Sequence, residues 1–245
     1  VTCKADSEMY QYLRMGNALK SAAARVAEEN GTEIKPITFS ICEWGWGKPY
    51  NWGAKAGNLW RTTPDIRPWW WWIKLIYNHT VKLYKYSSAG HFNDPDMLEV
   101  GNGKLTYDQN VSHFSLWCMM NSPLILGNDL RSMSEGVKKI ITNKNLIAIN
   151  QDALAKQAKR VKRGAIDVLA KPLANGGTAI CIFNKTSHSA GISYNLNKLC
   201  SDDYVSLKSA SSYALCDQWT GETLNSNGKL KLKLKKYQCK VYIIK

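Results

Sequence analysis

Three stretches of the sequence gather side chains that can hold and cleave a polyol: CEWGWGKPYNWG at 42–53, WRTTPD at 60–65 and HFNDPDMLEVGNG at 91–103. Tryptophan rings pack against the C–H surfaces of sugars, while carboxylate, amide and guanidinium groups bridge their hydroxyls. Loops that bring Trp, Asp, Asn and Arg together therefore predict a carbohydrate ligand.

Short strands alternate with helices around these stretches. Apolar or β-branched runs at 37–42, 58–63 and 90–93 predict strands, the first of them buried on both faces, and helical spacing at 6–29 and 108–120 predicts helices. Such alternation is typical of βα units in a parallel sheet or barrel, where chemistry lies at the C-terminal ends of the strands. Since each polar stretch follows a predicted strand, we expect the three to converge.

The pattern changes near residue 160. From there the sequence consists of short alternating strands separated by Gly, Asn and Ser turns, which predicts an antiparallel β-sandwich. Six strands are expected, at 166–173, 178–184, 191–196, 212–219, 229–234 and 240–245.

Five segments occur in an order that identifies a family: SICEWG (40–45), GNLWRTTPDI (57–66), NDPDMLEVGNG (93–103), HFSLWCMMNSPLILGNDL (113–130) and IAINQD (147–152). Together they resemble glycoside hydrolase family 27, the α-galactosidases and α-N-acetylgalactosaminidases, over nearly the whole chain. The resemblance implies the C-terminal half of a TIM (β/α)8 barrel at 1–160 and an antiparallel β-sandwich at 161–245. It also implies retaining hydrolysis of terminal α-linked galactose.

The resemblance gives Asp65 the role of general acid/base and Arg61 the role of a substrate ligand that orients the Asp65 carboxyl. A retaining enzyme needs this acid to be protonated when the glycosidic oxygen leaves and ionised when water attacks. We expect Asp65 to be buried among Trp60 and neighbouring rings. Taken alone, an Asp placed before a helical stretch is also typical of a helix N-cap.

Cys42, Glu43 and Trp44 match the family loop that contacts the C2 substituent of the sugar. So bulky a loop resembles that of galactose-selective members, which exclude the acetamide of N-acetylgalactosamine sterically. Taken alone, Cys42 is more typical of a buried core thiol. Asp96 and Met97 match the family loop that lines the pocket.

Other residues of these segments are expected to act structurally. Side-chain to backbone hydrogen bonds from Asn93 and Asp94 are predicted to brace the turn. A helix face packed on the barrel is predicted at His113, Phe114, Trp117 and Met120. Because the tryptophans at 69–72 cannot share one helix face, one or two should be partly exposed, extending the sugar platform or contacting a second subunit.

The family's nucleophile has no counterpart in this chain. Family members carry it in a K-Y-D-x-C type motif, whereas this chain begins V-T-C, so Val1 occupies the position or the Asp precedes the chain. Asp6 is more typical of an N-cap than of a nucleophile. Smaller departures are Pro64 for the usual Gly and Phe92 for the usual Trp, and neither removes a catalytic group.

An alternative function follows from this departure. Lacking the second carboxylate, the chain alone would be a catalytically incompetent fragment that acts at most as a carbohydrate-binding or partner-pairing module. A half-barrel leaves strand edges unpaired, so the expected partners are further copies in a homo-oligomer or a complementary N-terminal barrel half.

Composition excludes several other classes. The net charge is +14, and its densest clusters are a short run at 156–163 and an alternating Lys–Leu run at 229–236, with no nucleic-acid-binding motif beside them. We read it as solvated surface and expect neither a nucleic-acid partner nor a membrane span. The seven scattered cysteines form no metal-ligand pattern, so no metal or cofactor is implied. N-glycosylation sequons lie at Asn30, Asn78, Asn110 and Asn184. They do not fix the cellular compartment, and a secreted or lysosome-like location is favoured over the cytoplasm.

Overall fold

The computed structural model describes the backbone of residues 3–244 and the side chains of residues 8–244. In the first part of the chain, helices alternate with short strands that pair in the order β1-β2-β3, all parallel. An isolated parallel bridge between Leu98 and Leu126 follows β3 in the sequence. The predicted βα alternation is confirmed by the elements α1 (Cys3–Asn30), β1 (Ser40–Ile41), α2 (Gly53–Ala56), β2 (Leu59–Arg61), α3 (Trp70–Thr80), β3 (Phe92–Asp94), α4 (Tyr107–Met119), α5 (Glu135–Ile141) and α6 (Lys144–Asn150).

The first predicted strand is shorter than its apolar run, and the prediction of burial on both faces is wrong. Only Ser40 and Ile41 pair with β2, Ser40 is exposed, and Ile37 is about half exposed. The physical reason is that β1 forms the edge of this sheet and has a strand on one side only.

Helix ends follow their capping chemistry where the side chains are described. Thr106 and Gln109 form a reciprocal capping box that starts α4 one residue before its predicted position. Helix α1 starts at Cys3, before the predicted N-cap Asp6. Charged residues occur along α1, and none of the described helices has an apolar stretch of membrane-spanning length.

The second part of the chain is an antiparallel sandwich, as predicted. A six-stranded sheet in the order β4-β5-β6-β11-β8-β9 faces the pair β10-β7. The strands are β4 (Lys159–Lys162), β5 (Ile166–Pro172), β6 (Thr178–Asn184), β7 (Ala190–Asn195), β8 (Tyr213–Asp217), β9 (Thr223–Ser226), β10 (Lys229–Leu234) and β11 (Cys239–Ile244).

Strands β4 and β9 were not expected from the sequence. The basic run at 156–163 contains β4, whose residues are half-buried because Lys and Arg lay their aliphatic stems along the sheet. Polar residues build β9 at the opposite edge, where exposed positions carry no apolar signal. In contrast, β10 alternates exposed Lys with more buried Leu, as its pattern predicts.

The six-stranded sheet packs against other elements on both faces, and one of these contacts joins the two parts of the molecule. One face packs on β7 and β10 through side chains such as Ile182, Tyr194 and Leu230. On the other face, Phe183 and Val241 share a core with Trp117 and other residues of α4. The predicted core positions are all buried, three of them in α4 and one just after its end: His113, Phe114, Trp117 and Met120. The sandwich therefore supports the helices that flank the parallel sheet.

Candidate functional site

Arg61 is the centre of the site, at the C-terminal end of β2. Its Nη2 lies 3.1 Å from Asp65 Oδ1 and 2.7 Å from Asp96 Oδ2, and it donates to the Thr63 carbonyl at 3.2 Å. The guanidinium is buried, so these bonds are shielded from water and hold it in one orientation. The structure thus brings together three of the residues predicted from the sequence.

Parallel pairing sets these residues side by side. Arg61 of β2 is in register with Asp94 of β3, and the Thr62 amide donates to the Asp94 carbonyl at 2.9 Å just beyond the ladder. The Ile66 amide then donates to Asp96 Oδ2 at 2.8 Å. Hydrogen bonds therefore join the loops that follow the two strands at the C-terminal edge of the sheet, where the sequence predicted that the polar stretches would converge.

Asp96 has an uncommon backbone conformation for a residue other than glycine, with φ +80°. Its amide donates to Asp94 Oδ1 at 2.8 Å, so Asp94 braces the turn as predicted. The Asp96 carbonyl accepts a bond from Trp117 Nε1 at 2.8 Å. Burial raises the pKa of Asp94, which is opposed by its bond to the Asp96 amide and by the charge of Arg61.

Asp65 differs from expectation in its surroundings. Its side chain is 54% exposed, whereas Trp60 is fully buried and donates from Nε1 to Asn93 at 2.8 Å, so the predicted burial of Asp65 against Trp60 is wrong. Helix α3 has Trp69 at its N-cap, which excludes the N-cap role for Asp65. Instead, Trp72 Nε1 donates to the Asp65 carbonyl at 2.9 Å and fixes the backbone.

The loop after β1 reaches the same edge of the sheet through Gly45. Its φ is +81°, and a Cβ atom at this position would lie 2.2 Å from the Thr62 carbonyl oxygen, so no larger residue fits. This contact places Trp44, itself at φ +49° and partly exposed, beside the loop after β2. Cys42 is exposed, and the alternative of a buried core thiol is excluded.

Glu43 turns away from Arg61 and faces α1. Its carboxylate lies near Tyr12, whose hydroxyl donates to the Cys42 carbonyl at 3.2 Å, and the Glu8 carboxylate is close by. Burial is the largest cause that raises the pKa of Glu43, the nearby Tyr12 hydroxyl opposes it, and repulsion from Glu8 adds to it. Burial and Glu43 also raise the pKa of Tyr12 to about 12.

Met97 lies next to Asp96 with its side chain partly exposed, close to Gly127 after the bridged segment. Sequence reasoning missed Trp72 as a contact of Asp65 and Trp117 as a contact of Asp96. The contact of Trp72 could have been anticipated from its position, because Trp72 follows Asp65 by 7 residues and lies in the first turn of the helix after that loop.

Val1 and the side chains of Cys3 and Asp6 lie outside the described residues, so the structure says nothing about the predicted loss of the nucleophile. Within residues 8–244, Asp96 is unsuited to that role because Oδ2 accepts from Arg61 and Ile66 while Oδ1 accepts from Met97. Nor do the described side chains include a cluster of three or more His, Cys, Asp or Glu that could hold a metal.

Comparison with known proteins finds relatives that have the fold described above and that belong to one family. A model of alpha galactosidase A matches residues 16–152, and a model of the alpha-galactosidase C-terminal beta sandwich domain matches residues 163–244. The rice alpha-galactosidase is 35% identical over 97% of this chain and 53% of its own length. Alpha-galactosidase A of Cellvibrio japonicus is 43% identical over 68% of this chain and 44% of its own.

The crystal structure of alpha-galactosidase I from Mortierella vinacea superposes with a TM-score of 0.84 at 25% identity, covering 98% of this chain and 63% of that one. The chain spans about half the length of the curated relatives it matches. With two family models arranged one after the other over most of its length, this chain belongs to the glycoside hydrolase family 27 α-galactosidases, of which it covers the C-terminal portion.

Proposed function

We propose that the protein containing this chain is a retaining α-galactosidase that removes terminal α-linked galactose from oligosaccharides or glycoconjugates, with Asp65 as its general acid/base. The observation that carries the proposal is the bond from buried Arg61 to a carboxyl that stays 54% exposed. Such a carboxyl is oriented by the protein yet open to a substrate. The α-galactosidase names of the relatives supply the substrate class.

In the proposed reaction, protonated Asp65 gives its proton to the glycosidic oxygen as the bond to the leaving group breaks. The resulting carboxylate then takes a proton from the water that releases the galactose. Arg61 keeps the carboxyl in place through both steps. The nucleophilic carboxylate would come from outside the described residues, because Asp96 is already held by Arg61 and by the amides of Ile66 and Met97.

Selectivity for galactose is assigned to the loop after β1. Trp44 and Cys42 would fill the space beside the C2 position and leave no room for an acetamide. Tyr12 would support this loop from behind through its bond to the Cys42 carbonyl, with Glu43 beside it. Asp96 and Met97 would line the adjacent wall of the pocket.

The test uses the full-length protein and an aryl α-galactoside. We expect hydrolysis in which proton NMR detects α-galactose first, and we expect little turnover of the matching N-acetylgalactosaminide. Absence of turnover would contradict the proposed function, and β-galactose as the first product would contradict the retaining mechanism.

A second candidate is favoured by the exposed edge of the parallel sheet. Within residues 3–244, β1 pairs with β2 alone, and apolar Val26, Ile34 and Ile37 are exposed nearby. We propose that the 245-residue chain by itself is non-catalytic and pairs through this edge with a complementary barrel half or with another copy. Light scattering tests this, and a monodisperse, folded monomer would contradict it.

A further inference from the structure

Trp69 and Trp71 form an exposed aromatic surface at the start of α3. Their ring centroids lie 5.8 Å apart with an angle of 16° between the ring planes, so the rings are stacked. Even so, 54% of Trp69 and 59% of Trp71 remain open to solvent. Trp70, between them in sequence, is buried against Phe183 and Tyr237 instead. Packing within the chain therefore accounts for Trp70, whereas Trp69 and Trp71 contact neighbouring tryptophans and still keep more than half of their surface exposed.

This surface is continuous with the backbone of Asp65. Trp72 donates to the Asp65 carbonyl at 2.9 Å, and the Trp71 ring packs edge-on against Trp72 with centroids 5.3 Å apart. The contacts thus run from Asp65 through Trp72 to Trp71 and Trp69. Since a general acid protonates the leaving-group oxygen, the space next to Asp65 is the side on which the remainder of a substrate would lie.

A cavity of about 420 Å³ adjoins the rings and carries polar groups. Trp69, Trp71, Lys74, Lys104 and Gln109 are among its lining residues. Gln109 is buried and its Oε1 accepts from the Thr106 amide, while its Nε2 makes no hydrogen bond within the described part of the chain. Aromatic faces beside a free carboxamide donor suit a neutral, hydroxyl-rich ligand.

We propose that Trp69, Trp71 and Gln109 form a subsite for a sugar of the leaving group, so that the enzyme acts on galactose carried by a chain of further sugars. The rings would stack under the C–H face of that sugar, and Gln109 Nε2 would donate to one of its hydroxyls. This inference rests on the proposed α-galactosidase activity, and it extends that activity from the galactose itself to what carries it.

The charged groups at the cavity do not favour an anionic ligand. Lys74 Nζ lies 3.4 Å from the Lys185 carbonyl and over the Tyr237 ring, and burial together with the charge of Lys185 lowers its pKa. Lys74 is therefore already engaged by the protein, which leaves the exposed Lys104 at the rim. A neutral sugar chain matches this arrangement better than a polyanion or a second charged protein surface.

The experiment compares two substrates in the full-length protein. For the Trp69→Ala/Trp71→Ala variant, we expect kcat/KM to fall about tenfold on an α-galactosylated oligosaccharide with at least two further sugars, mainly through a higher KM. This is the change expected for losing an aromatic contact worth about 1.4 kcal/mol. On an aryl α-galactoside, kcat/KM should stay within about twofold, since a single aryl group does not extend along the rings.

Two further variants make the result specific. Tyr107→Ala removes an aromatic side chain of similar exposure, 58%, that does not line the cavity, and should change neither substrate. Trp69→Tyr/Trp71→Tyr keeps aromatic faces and should recover part of the oligosaccharide activity. Equal losses on both substrates, or no loss on either, would overturn the subsite.

Failure of the proposed function can be told apart from failure of the subsite. If the unaltered protein does not hydrolyse the aryl α-galactoside, the activity itself is wrong. Calorimetry with the galactose-free oligosaccharide then still measures the subsite, because binding should be present in the unaltered protein and lost in Trp69→Ala/Trp71→Ala. A dimer that becomes a monomer in that variant would assign the rings to a second copy and overturn the subsite.

Discussion

Two arginine–aspartate clusters of the same chemistry lie in different surroundings. The strand-end cluster consists of Arg61, Asp65 and Asp96 at the edge of the parallel sheet. The junction cluster consists of Arg160, Asp167 and Lys185, where the sandwich meets α3. Asp167 has no exposed surface, whereas the Asp65 side chain is 54% exposed.

The difference lies in how many acceptor positions each carboxylate has left. Asp167 Oδ2 accepts from Tyr77 at 2.9 Å and Arg160 at 3.1 Å, while Oδ1 accepts from Lys185 at 2.9 Å and the Gly164 amide at 3.0 Å. Asp65 has Arg61 as its side-chain partner among the described residues. A saturated, buried carboxylate holds structure, and a partly bonded, exposed one remains available to a substrate.

The largest effect on folding is expected at the junction cluster. Asp167→Asn should lower the free energy of unfolding by about 3–5 kcal/mol, because it leaves the buried Arg160 guanidinium and the partly buried Lys185 without their carboxylate. Asp65→Asn should change it by no more than about 0.5 kcal/mol, since the side chain is largely exposed. Urea unfolding of the full-length variants measures both. Equal destabilisation by the two changes would contradict the comparison.

Arg61→Lys should lower kcat/KM on an aryl α-galactoside by roughly ten- to a hundredfold. A lysine ammonium cannot reproduce the planar guanidinium that holds both carboxylates, and a hydrogen bond to a charged group contributes about 1.5–3 kcal/mol. Arg131→Lys is the matched control, because Arg131 pairs with Asp129 in an exposed position. An unchanged kcat/KM in Arg61→Lys would mean that the guanidinium does not orient Asp65.

A smaller, pH-dependent effect is expected at Lys171, which is buried on the same strand as Asp167. It donates to Asn121 and to the Ile149 carbonyl, and burial lowers its pKa to about 8 despite the opposing charge of Asp152. Because the unfolded chain keeps this proton up to a pH of about 10.5, stability should rise between pH 8 and 10.5.

The difference in urea midpoint between the unaltered protein and Lys171→Met isolates this effect, since other titrating groups are common to both. The unaltered protein should gain relative to the variant as pH rises across that window. A difference that does not depend on pH would show that Lys171 keeps its ordinary pKa despite burial.

The strand-end cluster could be predicted from the sequence because its members belong to short motifs that follow strands. Arg61 and Asp65 are four residues apart, and parallel pairing of β2 with β3 then requires Asp96 to lie beside them. The burial of the junction cluster could not be foreseen, because Asp167 meets Tyr77, 90 residues away in the sequence, only when the sandwich docks on α3.

Burial was the less predictable property. The basic run at 156–163 was read as solvated surface, yet Arg160 of β4 is buried in a pair with Asp167. In the opposite direction, Asp65 was expected to be buried and is exposed. Composition gives the charge of a segment, while its exposure depends on which distant segment packs against it.

The role of Asp65 is tested most directly by Asp65→Asn assayed with two aryl α-galactosides, one with a strongly activated leaving group and one with a poor leaving group. Loss of the general acid should lower cleavage of the poor leaving group by about 10²- to 10⁴-fold, and cleavage of the activated one far less, because that group departs without a proton. A loss of equal size on both substrates would contradict a general-acid role for Asp65.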